Sequence, residues 1–227
     1  MSTKVEVNAD PNVVVSLQTN DMPWTPSDFP GVEEKVLERV NDQRKGRETL
    51  LMKFAPGASM PREMLRQRVD IFVMEGSCSD GTSEYGQYTF VRNSPGTEIQ
   101  ISSTQGCILY IKRREPIRPT DNERLVIDSA AVPWIDFPHR GAKVLHLYRD
   151  PHGIETSRFG RIFEDRKLPS HDHAMGEETL ILEGYLKDEY ATYEPGAWFR
   201  MPIGVPHAPY TETAPCLMLI REGDLVW

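Results

Sequence analysis

The sequence repeats a set of landmarks at an interval of about 108 residues, and this repeat constrains the fold more than any other feature. Tyr85, Arg92 and Gly96 each have a counterpart of the same type 108 positions later. Two apolar runs also end on the same Glu-Gly pair, at Gly76 and at Gly184. Because these separate landmarks keep one register, we predict that the chain contains two copies of one folding unit.

Each copy consists of short runs rich in β-branched and aromatic residues, separated by turn-forming residues, which is typical of an all-β sandwich or barrel. The predicted strands are Thr49–Phe54, Asp70–Met74, Gln87–Arg92, Cys107–Lys112, Ser157–Phe163, Thr179–Glu183, Ala197–Met201 and Cys216–Arg221. Helix is expected only in short connecting pieces such as Val32–Arg39 and Pro61–Arg68. We expect the two units to pack side by side, since this would cover sheet edges.

The boundary between the copies is predicted from composition. Arg114–Arg124 holds two prolines and several charges, which indicates a linker. The expected domains are therefore residues 1–119 and 120–227.

Charge and composition exclude several classes of partner. The net charge of −8 disfavours a nucleic-acid surface, which needs clustered Lys and Arg. The sequence has no apolar run long enough for a membrane helix and does not begin like a signal peptide, so we expect a cytoplasmic protein with no membrane partner. Cys78, Cys107 and Cys216 are too far apart for a CxxC motif, and we interpret them as free core thiols in a reducing compartment.

All six histidines lie in the second copy, and this asymmetry is the strongest chemical signal in the sequence. His171 and His173 would point to the same side of an extended chain, Glu177 opens the next predicted strand, and the Pro-x-Gly turn before His207 directs that residue onto a neighbouring strand. Three imidazoles and one carboxylate suit a divalent ion such as Zn, Fe, Mn, Ni or Cu.

The spacings of these residues resemble the two paired motifs of the cupin family. His-x-His-(x3)-Glu-(x6)-Gly begins at His171, and Gly-(x5)-Pro-x-Gly-(x2)-His ends at His207. Asp165 stands where the first motif usually begins with Gly, and Thr211 stands where the second usually ends with Asn, but neither position is a metal ligand in the family. The resemblance implies a bicupin, two tandem jelly-roll β-barrels.

The second copy also resembles the cupin domain of ChrR-type anti-sigma factors, through the segment HDHAMGEETLILEGYLKDEY and the later Pro-His-Ala-Pro around His207. The first copy shows the same features in SDGTSEYGQYTFVRNSPG. The resemblance implies one divalent ion, zinc first and Fe, Ni or Mn as alternatives, held by His171, His173, Glu177 and His207. The regulatory members bind a sigma factor through a separate His-x3-Cys-x2-Cys zinc domain, a motif that this sequence does not contain. A sigma factor as protein partner therefore has little support here.

In the first copy the positions that match the four ligands are Glu63, Leu65, Val69 and Ile99. Three of these side chains have no donor atom, so we expect a degenerate metal site and a structural role for this barrel.

Three functions are consistent with these features. One is a sensing or regulatory module that recognises a small molecule or an oxidant, another is a mononuclear dioxygenase acting on a small diketone or hydroxy-aromatic ketone, and the third is a zinc-stabilised barrel without chemistry. A homo-oligomer is also compatible with the sequence. Candidate pocket residues are Arg158, Arg161, Arg200 and Tyr210.

The other polar residues near the motifs are expected to have no direct role. Glu178 would face away from Glu177 by strand alternation. His139, His146 and His152 precede the motif in a polar stretch, and no function is predicted for them.

Overall fold

The computed structural model describes residues 4–42, 46–115 and 123–225. Within these residues, the regular structure is 22 β-strands and three 3₁₀ helices of one turn each. The chain divides into two compact units, and neither unit is continuous in sequence. The first unit comprises Met1–Ala9 and Pro23–Ala131, and the second comprises Asp10–Met22 and Val132–Trp227. The all-β prediction is confirmed.

The strands of the first unit are β2 (Thr25–Pro26), β3 (Val32–Val40), β4 (Arg47–Phe54), β5 (Glu63–Met64), β6 (Arg68–Gly76), β7 (Cys78–Ser79), β8 (Glu84–Tyr85), β9 (Thr89–Asn93), β10 (Glu98–Ile99), β11 (Cys107–Arg114) and β12 (Leu125–Asp128). Those of the second are β1 (Val15–Gln18), β13 (Ile135–Phe137), β14 (Ala142–Arg149), β15 (Thr156–Ile162), β16 (Arg166–Lys167), β17 (Glu177–Glu183), β18 (Leu186–Lys187), β19 (Thr192–Tyr193), β20 (Ala197–Met201), β21 (Tyr210–Thr211) and β22 (Cys216–Glu222). The 3₁₀ helices are Thr19–Asp21, Ser129–Ala131 and Pro138–Arg140.

The two units have the same sheet topology. The large sheet of the first unit runs β12-β9-β6-β11-β4-β3-β2, and that of the second runs β1-β20-β17-β22-β15-β14-β13. All of the pairings within them are antiparallel. A smaller sheet, β16-β21-β18-β19, completes the second barrel, and the pairs β10-β5 and β7-β8 complete the first. The repeat in the sequence is therefore a repeat of one jelly-roll barrel.

One edge of each large sheet is completed by a strand from a distant part of the sequence. β1 pairs with β20 in the second unit, and β12 pairs with β9 in the first. Each added strand occupies backbone donors and acceptors that would otherwise form an open sheet edge. The expected division into residues 1–119 and 120–227 places β1 in the first unit and β12 in the second, the reverse of the structure. The sequence of such a short strand does not indicate which strand it pairs with.

The eight predicted strands are confirmed within two residues at each end, but the two helical segments are wrong. Val32–Arg39 lies in β3, which pairs with β4 along its length and has a bulge between Val36 and Glu38. Pro61–Arg68 contains β5, which pairs with β10. The charged residues of Val32–Arg39 favour a helix locally, but cross-strand pairing overrides that weak preference.

The linker prediction falls partly outside the described residues, since Arg114 ends β11 and residues 116–122 are not described. Arg124, at its other end, donates hydrogen bonds to Asp80 and to the Tyr85 hydroxyl within the first unit.

The shared Glu-Gly landmark has a steric reason. Gly184 has a φ of +71°, and a Cβ there would lie 1.8 Å from the carbonyl oxygen of Pro215. Gly76, its counterpart, has a φ of +70°, and a Cβ there would lie 2.3 Å from the carbonyl oxygen of Gly106. A side chain at either position would push apart two crossing backbone segments, so both copies require glycine.

Each barrel has its own apolar core. The first is filled by side chains such as Leu109, Ile111 and Val73, all with no exposed surface. The second is built around Phe199, Met201 and related residues. No helix among the described residues is long and apolar enough to span a membrane.

Candidate metal centre

The two cupin-like motifs of the second unit bring the four predicted ligands together at one end of the barrel. His171 and His207 form an isolated antiparallel bridge, in which each backbone N–H donates to the other residue's carbonyl at 3.0 and 2.9 Å. Gly176, at a φ of +68°, donates to the carbonyl of His173 and closes the turn that leads to Glu177 at the start of β17. Glu177 and His207 are buried, with 5% and 2% of their surface exposed.

The donor atoms of these residues lie close enough to share one ion. The Nε2 atoms of His173 and His207 are 3.1 Å apart, and His173 Nε2 is 3.3 Å from Glu177 Oε2. One ring nitrogen from each of the three histidines falls within 4.8 Å of the others. Two donors bound to one zinc ion at about 2.0–2.1 Å, at bond angles of 90–109°, are separated by about 2.8–3.4 Å. The separations of 3.1 and 3.3 Å fit that range.

Hydrogen bonds fix the orientation of all three imidazoles. The Nδ1 atoms of His171, His173 and His207 lie 2.9, 2.9 and 3.1 Å from the Pro169 carbonyl, Glu222 Oε1 and Asp188 Oδ2. These oxygens only accept, so each Nδ1 carries a proton, and the lone pair of each ring in its neutral form is then on Nε2. Two Nε2 lone pairs held at 3.1 Å repel each other unless a proton or a metal ion lies between them. The arrangement therefore fits a bound metal ion.

The electrostatics of the site also favour positive charge. Burial lowers the pKa of His173, but Glu177 and Glu222 outweigh burial and raise that pKa above its ordinary value. Burial raises the pKa of Glu222, but hydrogen bonds from His173 and Arg158 outweigh it and hold that pKa well below its ordinary range. The set of three imidazoles and one carboxylate suits Zn, Fe, Mn or Ni.

Glu222 is a site residue that the sequence did not reveal. Besides His173 it accepts two hydrogen bonds from Arg158, at 2.8 and 3.0 Å, and it lies opposite Glu177 in the register of β17 and β22. Its distance from the motifs in sequence hides this position, which only the strand pairing shows. Asp188, which the family resemblance includes, supports His207 and accepts a hydrogen bond from the Tyr193 hydroxyl.

A cavity of about 340 Å³ borders this cluster. His171, His173, Glu177 and His207 border it, and residues of β14, β15 and β22, both apolar and cationic, line the rest. The complete lining is Phe137, Arg140, Ala142, Lys143, Val144, His146, Arg158, Gly160, Arg161, Ile162, Leu168, Pro169, His171, His173, Glu177, Leu186, His207, Pro209, Met218 and Ile220. Arg158 and Arg161 thus lie where the pocket prediction expects them, and His146, for which no role was predicted, lies there as well.

The structure places the other two predicted pocket residues elsewhere. Arg200 alternates with Phe199 and Met201, which face the core, so its side chain projects from the opposite side of the sheet and contacts the Asp10 and Val13 carbonyls. Tyr210 lies in β21, away from the cavity lining. The sequence marks both residues as near the motif but cannot show which face they occupy.

Glu178 lies opposite Arg200 in the register of β17 and β20 and is outside the cavity lining, as alternation predicts. His139 and His152 are also outside it.

The register confirms the alignment of the first unit with the ligands. Glu63 pairs with Ile99 as His171 pairs with His207. Leu65, Val69 and Ile99 belong to the apolar core, and Glu63 is exposed. These side chains offer one carboxylate where the second unit offers four donors.

The carboxylate that supports His207 in the second unit has a counterpart in the first unit, but that counterpart binds a different residue. Asp80, the counterpart of Asp188, still accepts a hydrogen bond from Tyr85 at 2.6 Å, but the same carboxylate oxygen accepts a second bond from Arg124 and none from a histidine. The carboxylate that orients an imidazole in the second unit therefore fixes Arg124, just before β12, in the first.

The paired barrels and the motif geometry define the chain as a double cupin. The sequence profile of the ChrR cupin-like domain matches it twice, over residues 12–116 and 122–226. The chain belongs to the ChrR cupin-like domain family.

A search of curated protein sequences finds no match. Several solved structures share the fold at low identity. A protein from Nostoc punctiforme that is provisionally described as a dioxygenase matches at 15% identity with a TM-score of 0.78, over 96% of this chain and 85% of its own. A provisionally described glyoxylate-induced protein from Pseudomonas aeruginosa matches at 14% identity with a TM-score of 0.76, over 97% of this chain and 91% of its own. The formate complex of Lactobacillus farciminis oxalate decarboxylase matches at 12% identity with a TM-score of 0.65, over 92% of this chain and 86% of its own. These likenesses establish the fold.

Proposed function

We propose that the second unit binds one divalent metal ion through His171, His173, Glu177 and His207, and that the protein uses this ion to bind a small molecule in the adjoining cavity. The observation that supports the ion most strongly is the convergence of imidazole Nε2 lone pairs, 3.1 Å apart for His173 and His207. The family resemblance implies zinc, and the donor set also accepts Fe, Ni or Mn.

The cavity distinguishes a ligand-binding site from a closed structural one. A structural zinc site is enclosed by its four protein ligands, whereas here all four of them border a space of about 340 Å³. A volume of this size falls at the lower end of small-molecule sites. We therefore favour a sensing or regulatory module, in which occupancy of the cavity is reported to a protein partner.

The residues of the chain would perform distinct tasks in such a site. His171, His173 and His207 present neutral nitrogens, and Glu177 contributes a negative charge. Glu222 and Asp188 hold the rings of His173 and His207 in place. The bound ion would supply a Lewis-acidic position for an oxygen atom of the ligand.

A second candidate is a mononuclear dioxygenase acting on a small diketone or hydroxy-aromatic ketone. The cavity beside the metal ligands favours it, because a substrate there would lie within reach of the ion. The fold likeness to the Nostoc protein provisionally described as a dioxygenase is compatible with the same chemistry.

Metal analysis of the purified chain tests the shared part of both proposals. We expect about one divalent ion per wild-type chain and a strong loss in His207→Ala, which removes a ligand. His152→Ala is the matched control, because His152 is exposed and outside the cavity lining. Unchanged metal content in His207→Ala would show that the ligand assignment is wrong.

The identity of the ion and the response to substrates separate the two candidates. Iron or nickel together with oxygen uptake on diketones would support the dioxygenase. Zinc without turnover, together with co-purification of a sigma factor or another regulator, would support the sensing module.

A further inference from the structure

Two cations face each other across neighbouring strands of the second unit. Lys143 in β14 lies directly opposite Arg161 in β15, so the two side chains project from the same face of the sheet. Both residues also border the cavity beside the proposed metal centre. Like charges that lie directly opposite each other destabilise a sheet, so this pair calls for a functional explanation.

The first unit has an ion pair at the equivalent position. β3 pairs with β4 in the same register as β14 with β15, with a bulge at the same place, so Glu33 and Lys53 correspond to Lys143 and Arg161. Glu33 and Lys53 form an ion pair at 2.7 Å. The second unit has a lysine where the first has the carboxylate, so a neutral pair in one barrel is a doubly positive pair in the other.

Neighbouring groups of the protein offset little of this charge. The Lys143 Nζ lies 4.8 Å from the centre of the Trp134 ring and forms no ion pair with a described residue, while Asp136, opposite it in β13, is exposed. Arg161 uses one terminal nitrogen for Glu183, at 3.2 Å, in a pair that is partly exposed on both sides. The Nε of Arg161 is buried and has no acceptor among the described residues. A buried donor without a partner is rare, and this one is available to a ligand.

The cavity has an excess of positive side chains, although the protein carries a net charge of −8. Four cationic side chains line it: Arg140, Lys143, Arg158 and Arg161. Glu177 is the one carboxylate in the lining, and Glu222 neutralises Arg158. Three cations are therefore left to act on a ligand. A concave surface lined by one sign of charge attracts ligands of the opposite sign.

The cavity also presents apolar side chains, which limit the kind of anion that fits. Val144 of β14 and both Met218 and Ile220 of β22 line it. A Cβ at Gly160 would lie 2.7 Å from the Ile220 Cδ1, so glycine keeps this part of the cavity open. The corresponding residue of the first unit is Met52, which belongs to the apolar core. An acid with a small apolar body fits such a lining.

We propose, building on the proposed function of the cavity as a small-molecule site, that Lys143 and Arg161, together with Arg140, form an anion-binding subsite. The subsite takes the carboxylate of a small acid with an apolar body. Lys143 supplies a positive charge, and Arg161 supplies a positive charge and its free Nε–H donor.

Calorimetric titration of the zinc-loaded full-length chain with benzoate and with benzamide tests this subsite. The two probes have nearly the same shape, but only benzoate is an anion, and we expect it to bind about tenfold or more tightly than benzamide. Lys143→Glu, which gives the second unit the charge pairing of the first, should weaken benzoate binding about tenfold or more with unchanged zinc content. Lys167→Glu is the matched control, because it makes the same charge change at an exposed lysine outside the cavity lining, and it should bind benzoate as the wild type does.

Thermal unfolding supplies a readout that a purely structural pair would not give. Without ligand, Lys143→Glu should melt at a higher temperature than the wild type, because opposite charges take the place of like charges. Saturating benzoate should raise the melting temperature of the wild type but not that of Lys143→Glu. Lys143→Met, which removes the charge and keeps the apolar stem, should lose the response to benzoate as well and is measured in its place if the charge reversal does not fold.

The outcomes separate this inference from the proposed function. Equal benzoate affinity in Lys143→Glu and Lys167→Glu, with normal zinc content, overturns the subsite alone. A chain that retains no zinc but still binds benzoate in a manner that depends on Lys143 overturns the metal centre and supports the subsite. A wild-type chain that binds benzoate no more tightly than benzamide also overturns the subsite.

Discussion

Glu222 offers a sharp test of how the chain supports the proposed metal centre. Glu222→Gln keeps the shape of the side chain but removes the negative charge that faces His173 at 2.9 Å and Arg158 at 2.8 and 3.0 Å. The amide leaves Arg158 without its charged partner and makes the His173 imidazole a weaker donor to metal. Loss of such a supporting carboxylate typically lowers metal affinity about 10–100-fold, or roughly 1.4–2.7 kcal/mol.

Competition with a chelator of known affinity measures this change directly. The control is Glu212→Gln, because Glu212 forms an exposed ion pair with Lys187 at 2.7 Å and surface pairs contribute only about 0–1 kcal/mol. Equal metal affinity in Glu222→Gln and Glu212→Gln would refute the supporting role of Glu222.

A double-mutant cycle with Arg158→Met sharpens the assay. The double variant leaves neither charge unpaired, so its loss of affinity should be smaller than the sum of the two single losses, by about 0.5–3 kcal/mol. Strict additivity would show that Arg158 and Glu222 act independently of each other.

Three further predictions concern the fold. Gly184→Ala should destabilise the protein by more than about 2 kcal/mol in urea unfolding, since its Cβ would collide with the Pro215 carbonyl. Gly153→Ala is the control and should cost less, because Gly153 also has a positive φ but has open space around it. Burial raises the pKa of Cys78 and of Cys216 to about 12, so iodoacetamide at pH 8 should modify these thiols only after unfolding; rapid alkylation of the native protein would contradict their burial. Burial raises the pKa of Asp80, but hydrogen bonds from Tyr85 and Thr82 outweigh it and depress that pKa, so the stability this carboxylate contributes is present above about pH 4 and is lost as the pH falls further. Asp80→Asn should therefore lose less stability than the wild type between about pH 5 and pH 2 in urea titrations, and identical acid dependence would contradict this.

Local patterns in the sequence were sufficient to predict the barrels and the four proposed ligands. Strand alternation places His171 and His173 on one side of the chain, and the turn at Gly176 brings Glu177 back toward them. These relations involve few residues, so their spacing alone predicts the geometry. The core strands could be predicted in the same way, because the period-two pattern of apolar residues also involves only residues close together in sequence.

Relations between distant strands could not be predicted in this way. The pairing of β1 with β20 and of β12 with β9 depends on which sheet edge each short strand reaches. Glu222 joins the site only because β22 lies beside β17. The positions of Arg200 and His146 could not be predicted for the same reason, since the face that each occupies is set by neighbouring strands and, at His146, by a bulge.

The central claim is that His171, His173, Glu177 and His207 hold one ion in the second unit. Anomalous diffraction from a crystal of the native protein, collected above and below the absorption edge of the ion found by elemental analysis, tests it most directly. We expect one strong peak within about 2.0–2.3 Å of the three Nε2 atoms and a Glu177 oxygen. A peak among Glu63, Leu65, Val69 and Ile99, or no peak between the three imidazoles of a protein that elemental analysis shows to contain metal, would contradict the account.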